Sequence, residues 1–326
     1  MKRYESIQIL RGLAALSVLL YHFAIYSERI GMSSKFSFFS NSFFSYGALL
    51  FFVISGFVMA MLIDNCQPNF LLNRFLRIYP SYWLAIVLCI FIKVLVFEGV
   101  AEKNLLQAMT LLPWGEIQYP LGIEWTLVFE VFFYMLCAIF ANKFFKKYFI
   151  YFLILWGIAI IVSNVQTNLL TQVYLMPFSK YNLFFISGCL SFYIHRRINF
   201  APRTSLVLII VCSTITLLVH LYVYDNNLKY PLLAILFSIA VLFSTKIKLK
   251  KNNKLLIKLG DYSYGIYLSH VVVATTLMAY LQLIVGDELS VPLLLVILTL
   301  TLVCCWYYGK IDLFLYKSLR KIPFKK

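Results

Sequence analysis

Long stretches without Asp, Glu, Lys or Arg alternate with short polar segments along the whole chain. Many of these stretches approach the roughly 20 apolar residues that a helix needs to span a bilayer. Between the third and fourth of them, residues 104–112 have helical apolar spacing and are predicted to lie in the membrane interface. The pattern predicts a bundle of about ten transmembrane helices, near residues 7–26, 43–63, 79–97, 121–141, 148–163, 176–195, 204–223, 230–245, 262–284 and 290–309.

Composition supports the same fold class. The 326 residues are 62% hydrophobic and 13% charged, whereas a soluble domain is about 45–50% apolar and about 25% charged. So little charge excludes an ordinary soluble enzyme, and so much apolar content excludes a disordered chain. We therefore expect an all-α integral membrane protein in which residues 1–326 form one transmembrane domain with no appended soluble domain.

The net charge of +16 is distributed unevenly among the predicted loops. With a cytoplasmic N-terminus, 21 Lys and Arg residues lie in inner segments and 5 in outer segments. This asymmetry follows the positive-inside rule and predicts that both termini are cytoplasmic. Because the basic residues are spread over every inner segment, they do not form the clustered basic surface that binds nucleic acid.

The cysteines predict neither a metal site nor a disulfide framework. The chain has 7 cysteines, and their spacing matches neither kind of site. Most of them lie in apolar stretches, where cysteine usually packs as a small hydrophobic residue.

Two titratable side chains lie inside the first predicted helix, where charge costs at least about 2.5–3.5 kcal/mol to insert. Arg11 and His22 are eleven residues apart, which places them on one helix face and roughly 16 Å apart along the axis. An anionic ligand suits Arg11, and proton abstraction suits His22. The alternatives are that Arg11 extends to the lipid headgroups and that His22 only forms a hydrogen bond between helices.

Depth along the predicted helices divides the polar candidates into two groups. The inner group suits a cytoplasmic anion and comprises Arg11, His270, Arg74 and Arg77. The outer group is His22 and Glu130, and a carboxylate bonded to the imidazole would orient the ring and raise its basicity. The alternatives are a structural histidine at position 270 and a buried, neutral glutamate at position 130.

The predicted inner loop after the second helix contains two arginines three residues apart. One helical turn would align Arg74 and Arg77, and two aligned guanidinium groups form a good phosphate clamp. The alternative is that both residues only contribute positive-inside charge.

Six segments, in order, resemble the membrane-bound acyltransferase family 3. They are LRGLAALSVLLYHF (10–23), FFVISGFVM (51–59), RFLRIYP (74–80), IEWTLVFEVFFY (123–134), FFISGCL (184–190) and LGDYSYGIYLSH (259–270). Together they extend over nearly the whole chain and its predicted helices. The family includes O-acetylases of O-antigen, Nod factor and exopolysaccharide.

The resemblance implies transfer of an acyl group, usually acetyl from cytoplasmic acetyl-CoA, to a hydroxyl of a cell-surface or lipid-linked glycan. Acetyl-CoA would be a co-substrate and not a permanently bound cofactor. The implied location is the bacterial cytoplasmic (inner) membrane. The family's essential pair corresponds to His22 and Arg11, its arginine motif to Arg74 and Arg77, and its acidic residue to Glu130.

A mechanism follows from this resemblance as a hypothesis. The arginines would hold the CoA phosphates, and His22, oriented by Glu130, would act as general base or as a transient acyl carrier. Further substrate contacts are expected from Ser55, Trp125, Tyr134 and His270. The family's usual W-S-L-x-x-E segment has Thr126 in place of serine here, which keeps a hydroxyl.

A transporter or flippase for an acyl or glycan substrate is the alternative function. In that case His22 and Glu130 would form a proton relay within the membrane. Transporters often contain inverted repeats with helices broken at matching positions, and no such repeat is visible in the sequence.

Overall fold

A computed structural model describes residues 4–29, 36–97, 105–112, 119–163, 165, 173–198, 200–247, 253–286 and 290–321. These residues form 12 α-helices and no β-strand. The helices are α1 (Glu5–Arg29), α2 (Ser37–Ser40), α3 (Gly47–Asp64), α4 (Phe70–Phe97), α5 (Leu105–Thr110), α6 (Glu124–Phe140), α7 (Phe149–Ser163), α8 (Asn182–His195), α9 (Pro202–Tyr222), α10 (Asn226–Ser244), α11 (Lys254–Val285) and α12 (Val291–Leu319).

Each of the ten predicted helices coincides with an observed one, and α5 lies in the predicted apolar stretch at 104–112. Among the described residues, 8 helices are long and apolar enough to cross a membrane, with α7 counted from Lys146 so that it includes the 3-10 turn before it. Two others, α6 with 17 residues and α8 with 14, are shorter. The chain is therefore a multi-pass membrane protein, while the count of ten spans and the side on which the termini lie stay predictions. Some residues of the charge count, such as Lys2, Lys103 and Lys250, lie outside the described residues.

Helices α4 and α11 begin two turns or more before the starts that the apolar pattern predicted. The fourth helix begins at Phe70, so the segment 74–80 is helical and not a loop, with Pro80 inside the helix. Hydrogen bonds from other helices support the backbone there, because the Tyr264 hydroxyl donates to the Ile78 carbonyl at 2.9 Å. Helix α11 begins at Lys254, two turns before the predicted start. Both corrections change the depth at which polar side chains lie.

Helices α1 and α11 run parallel and pack closely. A Cβ atom on Gly260 would lie 1.9 Å from the Gln8 carbonyl oxygen, and one on Gly12 would lie 2.9 Å from Leu259 Cγ. Only glycine permits backbones to approach this closely. Gly12 therefore faces Gly260, and ten residues further along each helix His22 faces His270. The two glycines thus set the register that brings the two histidines together.

Helix α3 lies in the middle of the bundle and packs against α8 through a second pair of glycines. A Cβ atom on Gly56 would lie 2.1 Å from the Phe185 carbonyl oxygen, and one on Gly188 would lie 2.0 Å from that of Val53. Next to this crossing the rings of Phe52 and Phe185 stack with centroids 4.4 Å apart. The other side of α3 is left to line an internal cavity.

Candidate active site

A cavity of about 760 Å³ extends along α3 between α1, α4, α6, α11 and α12. Its lining on α3 runs from Ala48 to Met61, which is roughly 20 Å at 1.5 Å per residue. One end, where α1 begins and α12 ends, is lined by Tyr4 and Lys321. The lining at the other end includes Tyr267. The cavity is therefore long and narrow enough to hold an extended ligand.

Basic side chains dominate the polar lining of this cavity. Its cations are Arg11, Arg74, Arg77, Lys317, Arg320 and Lys321, and its lining carboxylate is that of Glu130. The structure thus brings together the predicted inner group of arginines, and it adds three cations from the end of α12 that the sequence did not point to. This excess of positive charge suits an anionic ligand.

Arg77 is held by a buried carboxylate on α12. Its Nη1 donates to both oxygens of Asp312, at 3.2 and 3.1 Å, and the Ser81 hydroxyl donates to the same carboxylate at 2.6 Å. The Asp312 side chain is fully buried. The guanidinium also lies over the ring of Tyr264, 4.7 Å from its centroid. Asp312 therefore compensates the charge of Arg77 and fastens α12 to α4.

Arg74 differs from Arg77 because part of its guanidinium is unpaired. It lies 5.8 Å from the ring centroid of Tyr134. Its Nε atom is buried without a hydrogen-bond partner among the described residues. A buried donor left without an acceptor costs about 1–3 kcal/mol, so this atom is suited to bind an anionic oxygen of a ligand in the cavity.

Glu130 forms a hydroxyl cluster on the cavity wall and does not orient His22 as predicted. Its Oε1 accepts hydrogen bonds from the Tyr134 hydroxyl and from the Ser55 hydroxyl, the latter at 3.2 Å, and the two hydroxyls lie 3.1 Å apart. The expected contact fails because the two residues lie at different depths: Ser55 is eight residues along α3 from Gly47, roughly 12 Å toward the cationic end, whereas His22 lies beyond Gly47 in the opposite direction. Ser55 and Tyr134 bind Glu130 directly, so their expected contact with substrate stays a prediction.

His22 is instead paired with His270. Its Nδ1 lies 2.8 Å from Nε2 of His270, and Nδ1 of His270 lies 2.7 Å from the Tyr267 carbonyl oxygen. The expected grouping of His270 with Arg11 is wrong because α11 begins at Lys254, which moves position 270 about 12 Å toward the other end of the bundle.

This chain of hydrogen bonds fixes the tautomer of both neutral rings. A backbone carbonyl only accepts, so Nδ1 of His270 carries a proton and its Nε2 is an acceptor. Nδ1 of His22 must then donate to His270, which leaves Nε2 of His22 unprotonated. The pair therefore presents a ring nitrogen that can accept a proton, with the imidazole held from behind.

A hydrogen bond between Tyr267 and Thr126 lies in the wall of the cavity at the histidine end. The two hydroxyl oxygens lie 2.8 Å apart, and the Thr126 hydroxyl donates to the Ile123 carbonyl at 3.0 Å, so Tyr267 is the donor. Tyr267 also carries the carbonyl that holds His270. The predicted hydroxyl at position 126 is therefore part of the cavity wall.

The histidine pair lies about one helical turn beyond this end of the cavity. A Cβ atom on Gly47, next to the lining residue Ala48, would lie 2.9 Å from Val18 Cγ2. His22 is four residues further along α1, roughly 6 Å. The cavity thus leads from the cationic end toward the unprotonated nitrogen of His22.

Trp125 does not line the cavity, contrary to its expected substrate contact. Its ring lies 6.1 Å from that of Phe52 and 5.1 Å from that of Tyr181, measured between centroids. On a helix, successive residues point about 100° apart, so the adjacent Thr126 faces the cavity while the indole packs among aromatic rings.

Sequence signals existed for part of what the prediction missed. Gly12 and Gly260 each precede a histidine by ten residues, which indicates matched packing of their helices. Asp312 is an acidic residue in an apolar helical pattern that continues past the predicted end at 309.

Comparison with known protein families identifies the family of the chain. A family model described as an acyltransferase domain matches residues 4–310. No curated protein and no solved structure matches the chain. The matched range contains Arg11, His22, Arg74, Glu130 and His270. The chain therefore belongs to the membrane-bound acyltransferase family 3.

Proposed function

We propose that the chain transfers an acyl group, acetyl from cytoplasmic acetyl-CoA, to a hydroxyl of a cell-surface or lipid-linked glycan such as O-antigen, capsule or exopolysaccharide. The observation that carries the proposal is the cavity, which begins among cations and leads toward a paired histidine. Its location would be the bacterial cytoplasmic membrane, with the cationic end facing the cytoplasm.

The donor is proposed to enter by its acyl end and to leave its phosphates among the cations. Guanidinium groups bind phosphate oxygens through paired, charge-assisted hydrogen bonds. The unpaired Nε of Arg74 offers one such donor, and the Arg11 side chain also lines the cavity. The pantetheine arm would follow α3 toward Tyr267, over a distance close to the roughly 16 Å that separates Arg11 from His22 along α1.

Transfer follows from the free nitrogen of His22. As the acceptor hydroxyl oxygen attacks the thioester carbonyl carbon, Nε2 of His22 takes the hydroxyl proton. The carbon–sulfur bond breaks, and the departing thiolate receives that proton from the imidazolium, so that glycan ester and free CoA thiol result. In the covalent variant, Nε2 of His22 first attacks the thioester carbonyl carbon, and the carbon–sulfur bond breaks to release the thiolate. The hydroxyl oxygen then attacks the acyl carbon, the bond to Nε2 breaks, and the hydroxyl proton passes to the thiolate.

His270 acts in this scheme as a positioning residue. Replacing it with leucine is expected to lower kcat by about 10- to 100-fold, because a hydrogen bond to a charged group contributes about 1.5–3 kcal/mol. KM for acetyl-CoA should stay unchanged, since the donor binds elsewhere. Initial rates of acetyl transfer in membranes that contain each variant would measure both constants.

A glutamine at the same position serves as the matched control. The His270→Gln side chain retains an acceptor for Nδ1 of His22, so kcat should recover most of the loss seen with leucine. Equal losses with leucine and glutamine would mean that position 270 only packs, and no loss with either would remove it from the mechanism.

The acyl transfer itself is tested on the product. Cells that lack the chain and cells complemented with it should differ in one ester signal in the NMR spectrum of the surface glycan. An unchanged spectrum would contradict the proposal. Loss of the whole glycan, with normal esters on what remains, would favour the flippase alternative.

A further inference from the structure

We propose that the segment from Leu313 to Lys321, which comprises the last turns of α12 and the two residues that follow it, recognises the phosphorylated nucleotide of the acyl donor and so selects a nucleotide-bearing thioester over a plain acyl-pantetheine. This inference rests on the proposed function. It assigns a binding role to residues that come after the range 4–310 matched by the family model.

The first observation is a helical stripe directed at the cavity. The residues of this segment that line the cavity are Leu313, Tyr316, Lys317, Arg320 and Lys321. Successive members of this set are three, one, three and one residues apart, which is the spacing of residues on one face of a helix. The segment therefore contributes a continuous wall to the cavity, with its apolar residues deeper and its cations at the mouth.

The second observation is that these cations are uncompensated. Asp312 is occupied by Arg77 and Ser81, and within the described part of the chain no carboxylate forms an ion pair with Lys317, Arg320 or Lys321. Their side chains are exposed at the mouth. Three accessible positive charges on one wall suit a ligand with several phosphate charges.

The third observation is that this wall is anchored. The buried Asp312 is bonded to Arg77 and Ser81 of α4, and the Tyr308 hydroxyl donates to the Ser81 carbonyl at 2.6 Å. A site on a helix fixed in this way positions its charges better than a loop would. Arg74, which also lines the cavity, would bind the phosphate next to the pantetheine arm, which leaves the cations of this wall for the nucleotide.

Kinetics with two donors tests the inference. The double variant Lys317→Gln/Arg320→Gln is expected to raise KM for acetyl-CoA about 10- to 100-fold, as for the loss of charge-assisted hydrogen bonds. Its KM for acetyl-pantetheine, which has no nucleotide, should equal that of the wild type, and kcat should change little with either donor. Purified protein in phosphatidylcholine vesicles would provide the rates.

A matched control removes the same charge elsewhere. Lys254 and Lys258 lie at the exposed start of α11 and do not line the cavity, so Lys254→Gln/Lys258→Gln should leave both KM values unchanged. Repeating the assay in phosphatidylglycerol vesicles distinguishes a nucleotide phosphate from an anionic lipid headgroup. An effect of the α12 variant confined to anionic vesicles would overturn the inference.

The remaining outcomes separate this inference from the proposed function. If the wild type transfers acetyl but the α12 variant has the same ratio of KM values for the two donors as the wild type, only the proposed nucleotide site is refuted. If the wild type transfers acetyl from neither donor, the acyltransferase proposal itself fails.

Discussion

Replacing His22 with alanine is expected to lower kcat for acetyl transfer by about 10²- to 10⁴-fold, the range typical for loss of a general base. KM for acetyl-CoA should change little, because the proposed donor contacts are at the cationic end of the cavity. The reason lies in the hydrogen bonds of the pair, which leave Nε2 of His22 unprotonated and fix the ring from the other side. Initial rates in membranes at equal protein level would measure the loss.

A second histidine provides the control for this prediction. His220 on α9 also bonds to a hydroxyl, its Nδ1 lying 3.0 Å from that of Tyr46, but it does not line the cavity. The variant His220→Ala should transfer acetyl at the wild-type rate. Activity within a factor of two of the wild type in a folded His22→Ala protein would exclude the proposed base.

Replacing Asp312 with alanine is expected to destabilise the fold by about 3–5 kcal/mol, as found when one partner of a buried ion pair is removed. Arg77 would be left with an uncompensated charge, since its side chain is only 16% exposed, and the Ser81 hydroxyl would lose its acceptor. The midpoint of unfolding by denaturant in detergent solution would show the change.

The double variant Arg77→Met/Asp312→Leu distinguishes an uncompensated charge from lost packing. With both charges removed, most of the lost stability should return, except for the part due to the missing acceptor of the Ser81 hydroxyl. A single Asp312→Ala variant as stable as the wild type would contradict this account. So would a double variant as unstable as the single one.

The hydrophobic pattern was enough to predict the helices, because membrane insertion requires long apolar runs wherever the chain crosses. The pattern was not enough to predict which helices continue past the ends of their apolar runs. Charged residues such as Lys254 and Lys258 precede the apolar run of α11, although they belong to its first two turns. The two missing turns led to the wrong depth for His270.

Lateral contacts were the other part that the sequence did not predict. The predicted depths of Glu130 and His22 are similar, but in the structure Glu130 lies at the level of Ser55, roughly 12 Å from the contact between Gly47 and Val18 and on the side away from His22. The structure pairs Glu130 with Ser55 on α3 and His22 with His270 on α11. Side-chain pairing in a bundle depends on the rotation of each helix, and here close glycine contacts set it for α1 and α11.

We propose that this chain moves an acetyl group from a thioester to a glycan by means of His22. The most direct measurement uses purified protein in phospholipid vesicles with radiolabelled acetyl-CoA and a lipid-linked glycan. We expect the wild type to give labelled glycan and free CoA thiol in equal amounts. We expect His22→Ala to give labelling at least 100-fold lower. Equal labelling by both proteins, or a wild type that leaves acetyl-CoA intact, would contradict it.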